Sequence, residues 1–197
     1  MGSSTGKELV LVITGTSGAG KGTLEKALLE RPEFALAVSA TTRERRPSER
    51  EGREYYFISE EEFTRLIDEG AFIEWVQHPW GPRHGTLWSE INRIQAQGRV
   101  PVLDLETEGA VAIRDRVAHT VTVFVKAPTF AELERRLRAR ATESGGEIEE
   151  RLETAKEQLA LEDEFDYVIV NDDVSRASEE LIAIADKELQ AAGTLSP

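Results

Sequence analysis

The chain has 197 residues, a length that fits one domain or one domain carrying an inserted subdomain. A 40% hydrophobic share with three Trp supplies a sizeable core and excludes disorder as the main state. Zero cysteines exclude disulfides, thiol catalysis and Cys-ligated metal. The formal charge, 24 − 37 = −13, argues against duplex nucleic acid or an anionic membrane as a partner.

The longest obvious apolar run, Leu9–Ile13, falls far short of the roughly 20 residues that span a bilayer. The opening Met1-Gly2-Ser3-Ser4-Thr5-Gly6 lacks the basic and apolar regions of a secretory leader. It also misses the hydroxyl residue that N-myristoylation needs at position 6. The expectation is a soluble cytoplasmic protein. Its arginines are unevenly spread, with five in Arg43–Arg53 and four in Arg135–Arg140. Such clusters suit small phosphorylated ligands. They equally suit self-paired solvated faces, since Glu44, Glu49, Glu51 and Glu54 sit among the first group.

In chain order, short apolar segments alternate with amphipathic helices, the pattern of an α/β fold with a largely parallel sheet. Leu9–Thr14 reads as a buried strand, then a glycine-rich loop and a helix from Lys21 to Glu30. Phe34–Ser39 is the next strand, followed by an irregular charged stretch to Glu54 and a short strand at Tyr56–Ile58. Ser59-Glu60-Glu61-Glu62 is a capping box opening a helix that Gly70 ends. Ala71–Val76 reads as a strand, Gln77–Gly85 as a loop and the stretch to Gln97 as a helix. Val100–Glu106 and Thr120–Val125 are strands flanking a helix around Ala110–Arg116. Thr129-Phe130-Ala131-Glu132 caps the arginine-rich helix, and Ser144-Gly145-Gly146 forms a hinge before a helix at Glu147–Glu162. Tyr167–Val170 is the last strand, and a helix at Ser175–Gln190 closes the chain.

Gly15-Thr16-Ser17-Gly18-Ala19-Gly20-Lys21 matches G-x-x-x-x-G-K between a strand and a helix, the context that this phosphate loop requires. Its glycines let backbone N–H groups converge on phosphate oxygens. The helix N-terminus adds partial positive charge, and Lys21 adds a full one. Next comes Gly22, where a metal-ligating Ser or Thr is usual, and then Thr23. Glycine offers no side-chain ligand, so Mg²⁺ would be held mainly by nucleotide and water rather than by protein side chains. This Gly-Lys-Gly-Thr variant resembles the loops of nucleoside monophosphate kinases.

Further segments extend the likeness. They are Ser39-Ala40-Thr41-Thr42-Arg43, Arg46-Pro47, Glu51-Gly52-Arg53-Glu54-Tyr55-Tyr56-Phe57, Phe72-Ile73-Glu74-Trp75, Gly85-Thr86 and Asn171-Asp172-Asp173. Together they make the chain, from about Val10 to Leu189, strongly resemble the guanylate kinase family. The resemblance implies a P-loop NTPase-type parallel sheet flanked by helices, with an inserted GMP-binding subdomain and a helical lid. It sets a core at about 8–36, 99–130 and 160–191, the GMP region at about 37–98 and the lid at about 131–159. It also implies transfer of the ATP γ-phosphoryl group to GMP or dGMP, with Mg²⁺, within purine metabolism.

By the same resemblance, Arg43, Arg46 and Tyr55 hold the acceptor's phosphate, and Ser39, Glu74 and Thr86 read the guanine. The chemistry fits: guanine's N1–H and 2-amino group are adjacent donors that one carboxylate can accept. Taken alone, Glu74 is equally an outward-facing strand residue. Arg136, Arg140 and Arg151 are the implied lid arginines, while Arg135 and Arg138 read as helix charges paired with Glu132 and Glu134. Asn171 would meet the adenine, or simply form a turn. Asp104 would orient metal-bound water, or simply end a strand.

Four positions depart from the family's pattern. His84 stands where a phosphate-binding Tyr is usual, within a loop, His78 to Arg83, about one residue longer than usual. Glu106 replaces an Asp, and Glu108 replaces a Gln. Ala141 stands where the lid hinge usually has Gly. These departures leave open an acceptor other than GMP, such as a different monophosphate or a phosphorylated sugar. A third reading is a non-catalytic phosphopeptide-binding module, which would lack a working phosphate loop. The expected partners are ATP and GMP, without nucleic acid or membrane, acting on a monomer or homodimer.

Overall fold

A computed structural model describes residues 9–77, 81–114, 116–140 and 145–193. Strand β1 (Val10–Gly15) is buried along its whole length, as expected for a central parallel strand covered on both faces. Five strands form the main sheet. These are β1, β2 (Phe34–Leu36), β7 (Val100–Asp104), β8 (Thr120–Lys126) and β9 (Tyr167–Val170), in the order β2-β7-β1-β8-β9. Every pairing is parallel, and β1 lies between the C-terminal ends of β7 and β8. Crevices for ligands in open α/β sheets lie outside those carboxyl ends.

Helix α1 (Lys21–Leu28) and α7 (Val174–Ala191) cover one face through Leu24, Leu28, Ala177 and Leu181. Helices α3 (Trp88–Ala96) and α4 (Thr107–Arg114) cover the other through Ile91, Ile94, Ala110 and Ile113. Each such aliphatic side chain contributes roughly 1.5–3 kcal/mol on full burial.

The segment between β2 and β7 builds a second sheet of β3 (Ala40–Thr41), β4 (Tyr56–Phe57), β5 (Phe72–Gln77) and β6 (Arg83–Leu87), in the order β4-β3-β6-β5. Helix α2 (Glu60–Asp68) covers it through Phe63, which stacks on Phe72 at 4.4 Å. The expected cap is present, with Ser59 Oγ accepting from the Glu62 amide at 3.1 Å. A buried carboxylate pins this sheet to the core. Glu90 of α3 accepts from the Val38 amide at 3.0 Å, from Tyr56 Oη at 2.9 Å and from two Arg93 nitrogens at 2.8 Å each.

Three features differ from the sequence reading. The loop expected through Gly85 gives way to β6 from Arg83, and the strand expected at Phe34–Ser39 ends at Leu36, with the separate β3 beginning at Ala40. Neither short polar strand has a pattern of its own; pairing with β5 and with each other creates them. Helix α4 begins at Thr107 rather than Ala110, directly off the end of β7. Helices α5 (Phe130–Arg140) and α6 (Gly145–Leu159) pack together through Leu133, Leu137, Ile148 and Leu152. The Thr129 cap of α5 is formed, accepting from the Glu132 amide at 3.1 Å. The expected hinge start at Ser144, Ala141 and the stretch His78–Trp80 lie outside the described residues.

Candidate active site

The glycine-rich loop turns where β1 meets β8. Gly15 has φ 135°, and a Cβ there would lie 2.0 Å from the Val125 carbonyl oxygen, so no other residue fits. Gly20, at φ 93°, starts α1 in the left-handed region that favours glycine. No side chain caps this helix, so its first-turn N–H groups remain available to an anion. Thr16, Ser17, Gly18, Gly20, Lys21, Gly22, Thr23 and Asp104 line a cavity of about 300 Å³ around it. The Lys21 ammonium donates to the Gly15 carbonyl at 2.9 Å, which holds it over the loop. Ala19 is fully buried beneath.

Asn171 braces the loop from behind. Its Nδ2 donates to the Ala19 carbonyl at 2.7 Å, and its buried Oδ1 has no hydrogen-bond partner. Arg136 donates to the Asn171 carbonyl at 3.0 Å and to Glu132 at 2.8 Å, joining α5 to this brace. Arg135 and Arg138 pair with Glu132 and Glu134 as expected, and Arg138 also reaches Glu149 at 2.9 Å. The Arg140 side chain lies outside the described set.

A larger cleft of about 650 Å³ opens between the sheets. Gly15, Ser17 and Lys21 form one wall, Asp104 and Glu106 the floor, Ser39, Tyr55, Glu74 and His84 the far wall, and Arg151 of α6 the roof. Thr154 and Gln158 also line the roof; as plain helix residues, they carried no motif in the sequence.

On the far wall, Glu74 and Thr86 are register partners on β5 and β6. Buried Glu74 accepts from the Thr86 amide at 2.9 Å, and Ser39 and Thr86 bring their hydroxyls to 3.3 Å. Burial pushes the Glu74 carboxyl up, with the Thr86 hydrogen bonds opposing and Glu106 adding a small upward push. Gly109 of α4 faces this carboxylate: a Cβ there would lie 3.2 Å from Glu74 Oε2. Nothing local in the sequence marks Gly109, because its role depends on a strand 35 residues away.

Tyr55 joins the two flanks of the far wall. Its ring lies 5.6 Å from His84 and 5.3 Å from the Arg43 guanidinium carbon. Arg43 and Arg46 do not line the cleft. Arg43 instead forms a bidentate pair with Glu49, at 2.8 and 2.9 Å, and Glu49 also accepts from the Arg46 amide at 2.8 Å. The arginine cluster is therefore partly self-paired, as Arg53 with Glu54 also shows.

Two carboxylates flank Lys21. Burial raises the Asp104 carboxyl, Lys21 lowers it and Glu106 raises it further. Glu25, one helical turn beyond Lys21, is 7% exposed with Oε1 unpartnered. Burial first, and Asp104 second, push it up to about 8 against the pull of Lys21. The surroundings suit a hydrated Mg²⁺ more than a chelated one. Nothing lies within 4 Å of where a Gly22 Cβ would stand, leaving room for water, and Asp104 opens onto both cavities. Among the described residues, no group of three or more His, Asp or Glu is arranged to hold a metal.

Comparison with known proteins bears on this arrangement. The family model for guanylate kinase matches residues 7–188. Guanylate kinase of Rubrobacter xylanophilus is 46% identical over 176 residues, covering 89% of this chain and 92% of its own. The Thermotoga maritima guanylate kinase is 38% identical over 183 residues, covering 92% and 88%. In three dimensions, guanylate kinase from Anaplasma phagocytophilum superposes with a TM-score of 0.74 at 29% identity, covering 93% of this chain and 87% of that one.

Proposed function

The chain belongs to the guanylate kinase family, and from that premise we propose how its own residues carry the ATP γ-phosphoryl group to GMP, giving ADP and GDP. The observation that supports this best is the cleft itself. It brings Lys21 on the phosphate loop, Glu74 on the second sheet and Arg151 on α6 to one space of about 650 Å³. We assign residues 37–98 to the acceptor region, 131–159 to a closing lid and the remainder to the core.

On the donor side, the loop amides of Gly15–Thr23 and the first turn of α1 receive the ATP phosphates, with Lys21 on the β- and γ-oxygens. Leaving the Gly15 carbonyl for a phosphate oxygen keeps Lys21 within the same loop. Arg136 and Asn171 flank the donor end, where we assign them to the adenine side. Bound Mg²⁺ would supply charge neutralisation between the β- and γ-phosphates, and Asp104 would orient its waters.

The acceptor's guanine reads against Glu74. With Oε1 taken by the Thr86 amide, Oε2 remains for N1–H and the 2-amino group. Ser39 and Thr86 donate to O6, and Glu106 takes the second amino hydrogen. AMP lacks this donor pair and would leave a buried carboxylate underpaired, at about 1–3 kcal/mol per lost partner. Arg43, Arg46, Tyr55 and His84 take the acceptor's phosphate. Its attacking oxygen is already anionic, so no strong general base is required. Positioning and charge then carry the reaction, with Lys21, Arg140 and Arg151 gathering round the transferred group. Closure of the lid excludes water and limits idle ATP hydrolysis.

The acidic charge of −13 supports small-molecule partners over nucleic acid or anionic membrane. Among the described residues, no helix is long and apolar enough to cross a membrane. A cytoplasmic monomer or homodimer completes the proposal. The test is ADP release with ATP and Mg²⁺, offering GMP, dGMP, AMP, CMP and UMP separately. Strong turnover with GMP and dGMP and little with AMP is expected; turnover only with another acceptor would overturn the guanine reading.

A further inference from the structure

The loop between β3 and β4 holds an internal carboxylate, Glu49, paired with Arg43. Arg43 donates from Nη2 to Glu49 Oε1 at 2.8 Å and from Nη1 to Glu49 Oε2 at 2.9 Å; Nη1 also reaches the Glu44 carbonyl at 2.9 Å. The pair is partly shielded, with side chains 22% and 13% exposed. It therefore differs from the open ion pairs that contribute little at protein surfaces. The Arg43 guanidinium also rests against the rings of Tyr55 and Phe57, at 5.3 and 5.6 Å. Arg43 and Glu49 both lie outside the cleft lining, but the Tyr55 ring on which the guanidinium rests is part of it.

A guanidinium has five donors arranged as two forks and a shared edge. Glu49 occupies the Nη1–Nη2 fork. The Nε hydrogen and the second Nη2 hydrogen form the other, which matches two oxygens of a phosphate. A free Arg side chain would lose rotamer freedom on fixing such a geometry; one already clamped would lose less. We propose that Glu49 is a positioning residue that holds Arg43 in the rotamer presenting this second fork to the acceptor phosphate. The proposal rests on the reading of Arg43 as a phosphate contact.

Two effects of the carboxylate oppose each other. It fixes the guanidinium, and it sets a negative charge near a phosphate that carries up to two. Hydrogen bonds from Arg43, and then from the Arg46 amide, hold the Glu49 carboxyl down to about 2. Its charge is thus constant across the working pH range, so any pH dependence of the repulsion comes from the phosphate.

The experiment compares affinities for GMP and guanosine by calorimetry, with guanosine measured by competition, in the wild type, E49Q, R43A and the double variant. If orientation dominates, E49Q weakens GMP about tenfold and leaves guanosine unchanged, and it adds no further loss to R43A. Equal losses for GMP and guanosine would show Glu49 to be loop scaffolding and overturn the proposal. So would unchanged or tighter GMP binding, which would mark the carboxylate as a competitor of the phosphate. A wild type that binds GMP no more tightly than guanosine would instead remove the phosphate role of Arg43 itself.

Discussion

Where the donor phosphates would lie, the chain offers backbone. Residues 15–23 are contiguous, their conformation is set by glycines at Gly15 and Gly20, and strand β1 from which they run is buried throughout. Where the acceptor would lie, it offers side chains from Ser39, Tyr55, Glu74 and His84, carried on or beside a second sheet with two-residue strands β3 and β4. Backbone amides recognise any polyphosphate and do not depend on side-chain identity, provided the loop conformation is kept and no proline is introduced. Side chains can distinguish one base from another but depend on partners such as Gly109 and Glu49. One half of the cleft is therefore built for generic charge and the other for discrimination, and substitutions in the two halves have different signatures.

Replacing Lys21 by Ala tests the donor half with the largest effect. Turnover should fall at least a hundredfold, with the guanine preference of the residual rate retained. A near-normal rate would remove Lys21 from the chemistry. Initial-rate assays across the monophosphate panel read both quantities.

The next effect concerns stability beneath the donor loop. Folded Glu25 holds its proton up to about pH 8, against an ordinary value of 4.5. The folded chain thus binds more protons than the unfolded one between those values, and stability falls as pH rises through that window. The decline is at most about 1.4 kcal/mol per pH unit from this group. Denaturant melts from pH 5 to 9 should show a steeper decline for the wild type than for E25Q. Parallel curves would mean that Glu25 ionises normally.

A smaller, more local effect is expected in the acceptor half. Gly109→Ala would place a methyl 3.2 Å from Glu74 Oε2, tighter than ordinary contact. The GMP KM should rise several-fold while the ATP KM stays constant. A change in the ATP KM alone would mean that the strain relaxes towards β7 instead.

The same contrast explains what could be read from the residues alone. The phosphate loop is local: spacing, flanking strand and helix all lie within Leu9–Leu28, so its position and conformation were legible. The main strands were legible as well, because buried parallel strands are continuous apolar runs. Strands β3 and β6 were not. Arg83-His84-Gly85-Thr86 is polar and becomes a strand only by pairing on both sides, with β3 and β5. The residues proposed to face guanine came from family likeness, since nothing local distinguishes Glu74 from an outward strand residue. Its partner Gly109 required the fold. The arginine cluster at 43–53 shows a third case, where binding and self-pairing looked like rival readings. The Arg43–Glu49 pair satisfies the second and, on the proposal above, serves the first.

The most direct test of a cleft divided between generic and discriminating halves is the ratio of kcat/KM for GMP over AMP, measured in the wild type and in Glu74→Gln. The account predicts a ratio of at least about a hundred in the wild type, consistent with two lost partners at about 1–3 kcal/mol each. In E74Q the ratio should fall at least tenfold, with the ATP KM unchanged. A ratio that survives the substitution would contradict it and move guanine recognition away from Glu74.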